Sequence, residues 1–286
     1  MRWSQRDKPD SAWVDALHEA FNQDPTKPLD RKFSRLLVSR GIKTYADALT
    51  FFKPEIDQLH DPFLMKDMDC AVSRIKHGIA AGERILIFGD YDVDGTTAVA
   101  LVYSYLEMQG VEVSYYIPDR YLEGYGLSYQ GIQFASDNDI SLIIALDCGV
   151  KSIEEVDFAN SLGVDMVICD HHTPGDELPN AIAVLDPKRL DCPYPFKELC
   201  GCGVGFKLLQ AIETSEGRGL EYLMPLTDLV AVAIGADVVS VMGENRVLAN
   251  LGLEVITKNP RPGFKALLGQ AKRDVVSLTD LNFSLA

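Results

Sequence analysis

The chain has 286 residues, 47% of them apolar and 24% charged, a globular balance that excludes bulk disorder, collagen and coiled coil. Lysine and arginine number 27 against 42 aspartates and glutamates, a net charge of −15. Taken alone, that charge argues against a nucleic-acid partner, because an acidic surface repels phosphate unless cations are gathered locally or metals compensate.

The N-terminal stretch Met1–Trp13 is charged and has no apolar core, so it does not read as a signal peptide. No apolar run approaches the ~20 residues of a membrane helix, and a cytoplasmic protein is expected. Asp30–Pro54 has helical periodicity, with Phe33, Leu36 and Leu37 on one face and Ala48, Leu49 and Phe52 on another. Gly41 and Pro54 read as its stops. A small helical arm is expected over 1–66 and a second domain over 67–286. Asp67–Ala81 reads as an amphipathic helix ended by Gly82. Apolar runs then alternate with helical segments. The strands are Arg84–Phe88, Val111–Ile117, Ile140–Leu146, Asp165–Cys169 and Ala181–Leu185; the helices are Thr96–Gln109, Ser128–Asp139 and Ser152–Leu162. Runs apolar on both faces, separated by helices, predict an α/β fold with a buried parallel sheet. From Gly203 onward the chain reads as mostly helical: Val204–Glu213, Leu220–Val238 and Asn245–Ile256. Six cysteines (Cys70, Cys148, Cys169, Cys192, Cys200, Cys202) form no C-x-x-C pair, which removes the zinc-ribbon and thioredoxin readings and suits a reducing compartment.

The chemistry sits where the strands end, the place where open α/β sheets bind ligands. Four strand ends carry aspartate: Asp90-Tyr91-Asp92-Val93-Asp94-Gly95, Asp147-Cys148-Gly149, Asp170-His171-His172 and Asp186-Pro187. The first begins like a calcium loop, but the twelfth position is Leu101 where a bidentate glutamate is required. A helix cap needs one aspartate; three within five residues repel one another and imply a cation. Two of the chain's five histidines are adjacent, directly after Asp170. Aspartates with histidine form a mixed oxygen and nitrogen donor set suited to Mn²⁺ or a similar ion. Enough carboxylates gather for two metals, the arrangement that activates water for in-line phosphoryl displacement. These residues alone point to a metal-dependent phosphoester hydrolase.

At Asp170-His171-His172, together with Gly89–Gly95, the sequence resembles the DHH phosphoesterase superfamily, and within it the RecJ-type single-strand-specific 5′→3′ exonucleases. The ordered motifs carrying the resemblance are IFGDYDVDGTT, PDRYLEGYGLS, ALDCGV, ICDHHTPG, CGVGFKLLQA and DLVAVAIGADVVSVMGENRVL. The resemblance runs from about Phe33 to Ala286. It implies Asp92, Asp94, Asp147, His171 and Asp237 as ligands of two Mn²⁺ or Mg²⁺ ions, with Asp147 bridging. It implies His172 beside the scissile phosphate, and Asp90 and Asp170 as residues that orient ligands. Asp237, in an apolar helix, is not found by spacing; either a metal or a capping role would explain it. The glycines around Gly203, with Lys207, form a helix start that either attracts phosphate or lets helix and sheet pack closely. Arg120 is a candidate phosphate contact, and Tyr121 and Tyr125 are candidate base-stacking residues.

The expectation is a metal-dependent exonuclease core acting on single-stranded DNA in repair and recombination, monomeric and free of membrane. The enzyme alternative is a relative acting on short oligonucleotides, cyclic dinucleotides or a nucleotide phosphate. The non-enzyme alternative is an inactive scaffold. RecJ-type proteins continue into a DHH-associated domain and an oligonucleotide-binding barrel, so this chain reads as the catalytic part, and weak binding of single-stranded DNA by it alone is expected.

Overall fold

The computed structural model describes residues 8–23, 28–271 and 276–284. Met1–Asp7 of the charged N-terminal stretch lie outside them. The chain forms two compact units, Met1–Gln58 and Leu59–Ala286; Leu59–Lys66, expected with the arm, belongs to the larger one. No helix among the described residues is long and apolar enough to cross a membrane.

In the smaller unit three helices are each started by a side-chain cap. Asp10 precedes α1 (Ser11–Phe21), Asp30 precedes α2 (Arg31–Val38), and Thr44 with Asp47 forms a reciprocal capping box on α3 (Tyr45–Phe52). Phe21, Phe33, Tyr45 and Phe52 make a run of ring contacts between them.

The larger unit is a five-stranded parallel sheet flanked by helices, followed by a helical section. Its strands are β1 (Arg84–Gly89), β2 (Val113–Tyr116), β3 (Ile140–Leu146), β4 (Asp165–Cys169) and β5 (Ala183–Leu185), in the order β2-β1-β3-β4-β5. Successive residues face opposite sides, as the pleat dictates. Ile85, Ile87, Leu142, Ile144 and Val167 pack against α4 (Met68–Ala81), α5 (Val93–Met108), α8 (Gly201–Ser215) and α9 (Thr227–Ala236). Leu86, Phe88, Ile143, Ala145 and Ile168 pack against α6 (Tyr129–Asp137) and α7 (Ile153–Ser161). With both faces covered, each strand reads as a continuous apolar run, and burial of each such side chain is worth roughly 1.5–3 kcal/mol. Then follow α10 (Gly243–Lys258), α11 (Pro262–Ala271) and α12 (Leu278–Ser284).

Among the expected boundaries that shift, three bear on the site. Helix α5 starts at Val93 rather than Thr96, because Asp92 is its N-cap. Helix α8 starts at Gly201 rather than Val204, capped by the Cys200 thiol. The expected helix Leu220–Val238 is interrupted: a single 3₁₀ turn, Met224–Leu226, containing Pro225, precedes α9, which stops at Ala236.

Lys207 corrects a sequence expectation. Its side chain is fully buried inside α8's packing face and ion-pairs with Glu244 at 2.9 Å. Its Nζ also donates to the His60 carbonyl, while Glu244 accepts from the His60 N–H and from the Tyr194 hydroxyl. With its charge taken up by Glu244 inside the core, Lys207 is not a phosphate contact; it joins α8 to α10. Lys207→Met should leave Glu244 buried and unpaired and cost about 3–5 kcal/mol, read as a lower denaturation midpoint, with part of the loss recovered when Glu244→Gln is added.

Candidate metal centre

The strand register places the acids. Gly89 pairs with Leu146, Leu146 with Cys169 and Cys169 with Leu185. These four residues close their strands, so Asp90, Asp147, Asp170 and Asp186 are each the first residue past a level sheet edge. The ladder runs one residue further, with Asp147 N–H donating to the Cys169 carbonyl and Asp170 N–H to the Leu185 carbonyl. The chain leaves β1 for β2 on one side and returns to β3 on the other, so Asp90 and Asp147 flank the crevice where the strand order reverses, the ligand position of doubly wound sheets.

Backbone donors hold carboxylates at and beside this edge. Asp92 caps α5 through the Gly95 N–H at 2.9 Å. Asp94, in the first turn of α5, accepts the Gly201 N–H at 2.6 Å and the Cys202 N–H at 2.8 Å. Asp170 accepts the Val150 N–H at 2.9 Å and the His171 N–H at 2.7 Å. The start of α8 is therefore already occupied by an anion, the Asp94 carboxylate, as its dipole favours. This corrects the reading of Gly203 as a phosphate cradle: its N–H is taken by the Cys200 sulfur. The glycine that matters is Gly201, where a Cβ would lie 2.5 Å from Asp147 Oδ1. Gly95 is bound in the same way, because its Cβ would lie 2.4 Å from the Asp90 carbonyl oxygen.

Three overlapping groups bring ligand atoms within 4.8 Å of one another: Asp90, Asp92 and Asp147; Asp147, His171 and His172; and Asp94, His171 and Asp237. All five residues that the sequence implied as ligands are in this cluster, as are Asp90 and His172. Asp147 and His171 each belong to two groups. His171 Nε2 lies 3.1 Å from Asp147 Oδ1 and 3.7 Å from both Asp94 and Asp237. Two residues adopt left-handed backbone around the cluster, Asp147 (φ 59°) and Val238 (φ 56°). For a β-branched residue this is strained, and at Val238 it ends α9 so that Asp237 is its C-cap.

The electrostatics fit a bound cation. Burial, reinforced by Asp237 and Asp92, pushes Asp94 up to about 7. Burial and the surrounding acids push Asp147 well above the carboxylate range, and burial raises Asp90. Burial lowers His171 to about 4, leaving a neutral imidazole with a lone pair to offer. The buried Asp90 Oδ2 and Asp147 Oδ1 have no hydrogen-bond partner. Acceptors converging without donors are costly unless a proton or a metal joins them, and this oxygen and nitrogen set suits Mn²⁺ or Mg²⁺.

A second chain of contacts runs beside the cluster. Burial raises Asp170, but its bond to the His172 imidazole and the backbone N–H donors outweigh this and hold it below its ordinary value. His172 Nδ1 lies 2.7 Å from Asp170, and that bond raises His172. On the other side of the ring Nε2 lies 3.0 Å from the Tyr125 hydroxyl. Tyr125 meets Tyr91 edge-to-face, and the Arg120 guanidinium lies 5.3 Å over Tyr91. Tyr125 is thus brought to the site. Arg120 is connected to it through Tyr91, a link that sequence reasoning missed. Tyr121 is 91% exposed on the same loop.

Residues 84–234, more than half of the chain, match the DHH family, N-terminal domain. The chain belongs to the DHH family. Its sequence is similar to the single-stranded-DNA-specific exonuclease RecJ of Bacillus subtilis (strain 168), 39% identical over 275 residues, covering 96% of this chain and 33% of that protein. It is 35% identical over 266 residues to RecJ of Escherichia coli (strain K12), covering 88% of this chain and 45% of that one. The chain thus spans a third to under half of these relatives' length. Among solved structures it resembles exonuclease RecJ bound to manganese, at TM-score 0.71 and 29% identity, over 81% of this chain and 57% of that one. It also resembles RecJ of Thermus thermophilus in complex with Mn²⁺, at TM-score 0.80 and 25% identity, over all of this chain and 39% of that one.

Two outcomes follow. Gly201→Ala should force Asp147 aside and weaken Mn²⁺ binding by ~10–100-fold, measured by calorimetry on a variant that keeps its circular dichroism. In metal-free protein Asp94 and Asp186 each reach about 7 against an ordinary 3.8, so the folded state holds more protons than the unfolded one. Their contribution to stability is full below about pH 4 and lost as pH rises through about 7. The melting temperature in chelator should fall over that window, and the increment from added Mn²⁺ should grow.

Proposed function

We propose that this chain is the catalytic part of a two-metal exonuclease that hydrolyses single-stranded DNA from the 5′ end in repair and recombination. The observation that carries the reading is the convergence of Asp92, Asp94, Asp147, His171 and Asp237 at the switch point, with the Asp147 Oδ1 unpartnered among them. The family membership and the RecJ relatives support it. Asp92, Asp94, Asp147, His171 and Asp237 would hold two ions, with Asp147 shared between them. Bound Mn²⁺ or Mg²⁺ supplies an activated water and neutralises charge on the phosphoryl oxygens. Asp170 fixes the His172 ring through Nδ1 and favours its charged form, so the Nε2 edge is presented to a non-bridging phosphate oxygen. In this structure the Tyr125 hydroxyl occupies Nε2, a place a phosphate oxygen would take from it, and Tyr121 and Arg120 would offer stacking and charge to the strand that leads into the site.

Asp147→Ala should abolish Mn²⁺-dependent release of nucleotides from a labelled single strand, by more than ~100-fold, with folding intact by circular dichroism. Undiminished activity in that variant would overturn the assignment. Faster turnover of dinucleotides than of long strands by the unmodified chain would favour the short-oligonucleotide reading.

A further inference from the structure

Lys188 has no role in the centre described above. It follows Asp186-Pro187 at the end of β5, and its N–H donates to Asp186 Oδ1 at 2.6 Å, which fixes the backbone at that strand end. The side chain is half-buried and lines a cavity of about 350 Å³ with Thr173, Pro174 and Gly175, the residues that continue directly from His171-His172, and with Asp176, Leu178 and Leu190 further along its wall. The neighbouring cation in that cavity, Arg189, is committed: its guanidinium binds Asp67, Asp191 and the Val184 carbonyl. Among the described residues Lys188 has no carboxylate within ion-pair distance, although it stands among acids.

Two links set it beside the centre: its backbone is tied to the strand-end Asp186, and the Thr173–Gly175 wall of its cavity continues directly from His171-His172. A half-buried ammonium loses part of its hydration, and one left without an anionic partner beside a hydrolytic centre is placed to receive an anion from outside the chain.

We propose that Lys188, with the Thr173–Gly175 wall of this cavity, is a phosphate-binding subsite that holds a backbone phosphate of the nucleic-acid strand next to the phosphate being cut. The assignment rests on the phosphoesterase reading for its biological meaning, but the phosphate contact itself is measurable without turnover. In an acidic chain it gives the strand a point of positive charge beside the cluster, and it acts by position and charge rather than by bonding to the reacting phosphorus.

The test is binding of thymidine 5′-monophosphate to the 286-residue chain in Mg²⁺, followed by ³¹P NMR, for the unmodified protein, Lys188→Ala and Lys188→Arg. Metal affinity and melting temperature are recorded alongside. Lys188→Ala should weaken the nucleotide roughly tenfold, the loss of one charge-assisted hydrogen bond. Lys188→Arg should keep most of the affinity, and neither variant should lose Mg²⁺ affinity. With a labelled single-stranded oligonucleotide, the slope of log affinity against log salt should shrink by about 0.7 in the alanine variant. Equal nucleotide binding by Lys188→Ala, or a loss matched by an equal loss of Mg²⁺ affinity, overturns the subsite. Lys188-dependent binding in a protein whose nuclease activity survives Asp147→Ala leaves the subsite standing and removes the exonuclease reading instead.

Discussion

The constraint on which the site depends is the common level at which four parallel strands stop. Parallel pairing ties Gly89, Leu146, Cys169 and Leu185 into one row, and the next residue of each strand is an aspartate. A shift of one residue in any pair would turn an acid from the sheet edge toward a face packed with Ile, Val and Leu, where burying it uncompensated is prohibitive. Hydrophobic burial on both faces therefore fixes the register, and the register gathers the carboxylates. The same apolar pressure that stabilises the fold supplies the work of bringing like charges together.

That concentration of charge is held by backbone donors as well as by burial. Asp94 accepts two N–H groups from the start of α8, and Asp92 takes one from the start of α5. Each carboxylate thus closes a helix end that would otherwise need a cap, and each is oriented by doing so. The two roles are compatible because a carboxylate has more acceptor positions than a cap uses. Asp147 has no such donor on Oδ1 and sits on left-handed backbone, so it is the residue least explained by folding alone and the one best explained by a metal.

Much of this was legible in the sequence. β3 and β4 run as their apolar stretches do, and the strand-end aspartates sit where the runs stop. Asp237 was reached only through family likeness, for a physical reason: it comes to the centre by the packing of α9 in the tertiary fold and by the reversal of the backbone at Val238, and no local spacing encodes that. Lys207 was misread because a lysine next to a glycine-rich helix start looks the same in sequence whether its partner is phosphate or a glutamate 37 residues away. For the glycines at 201 and 203 the sequence leaves phosphate attraction and close packing both open, and the structure favours close packing. Glycine permits close approach, but sequence does not say what approaches, and at Gly201 it is the Asp147 side chain.

The net charge of −15 remains as it was, but its meaning changes with position. A summed charge predicts long-range repulsion, whereas an anion at the site feels the potential within a Debye length of it, about 8 Å at physiological salt. Within that range the acids are drawn inward, toward a centre whose donor set fits divalent cations. Asp94 and Asp147 are almost wholly buried. Arg120 lies over an aromatic ring near Tyr125, and Lys188 follows the strand-end Asp186, to which its N–H donates. An acidic composition and a polyanionic ligand are compatible where divalent cations stand between them, and the acids that make up part of the net negative charge include the donor set that fits such cations.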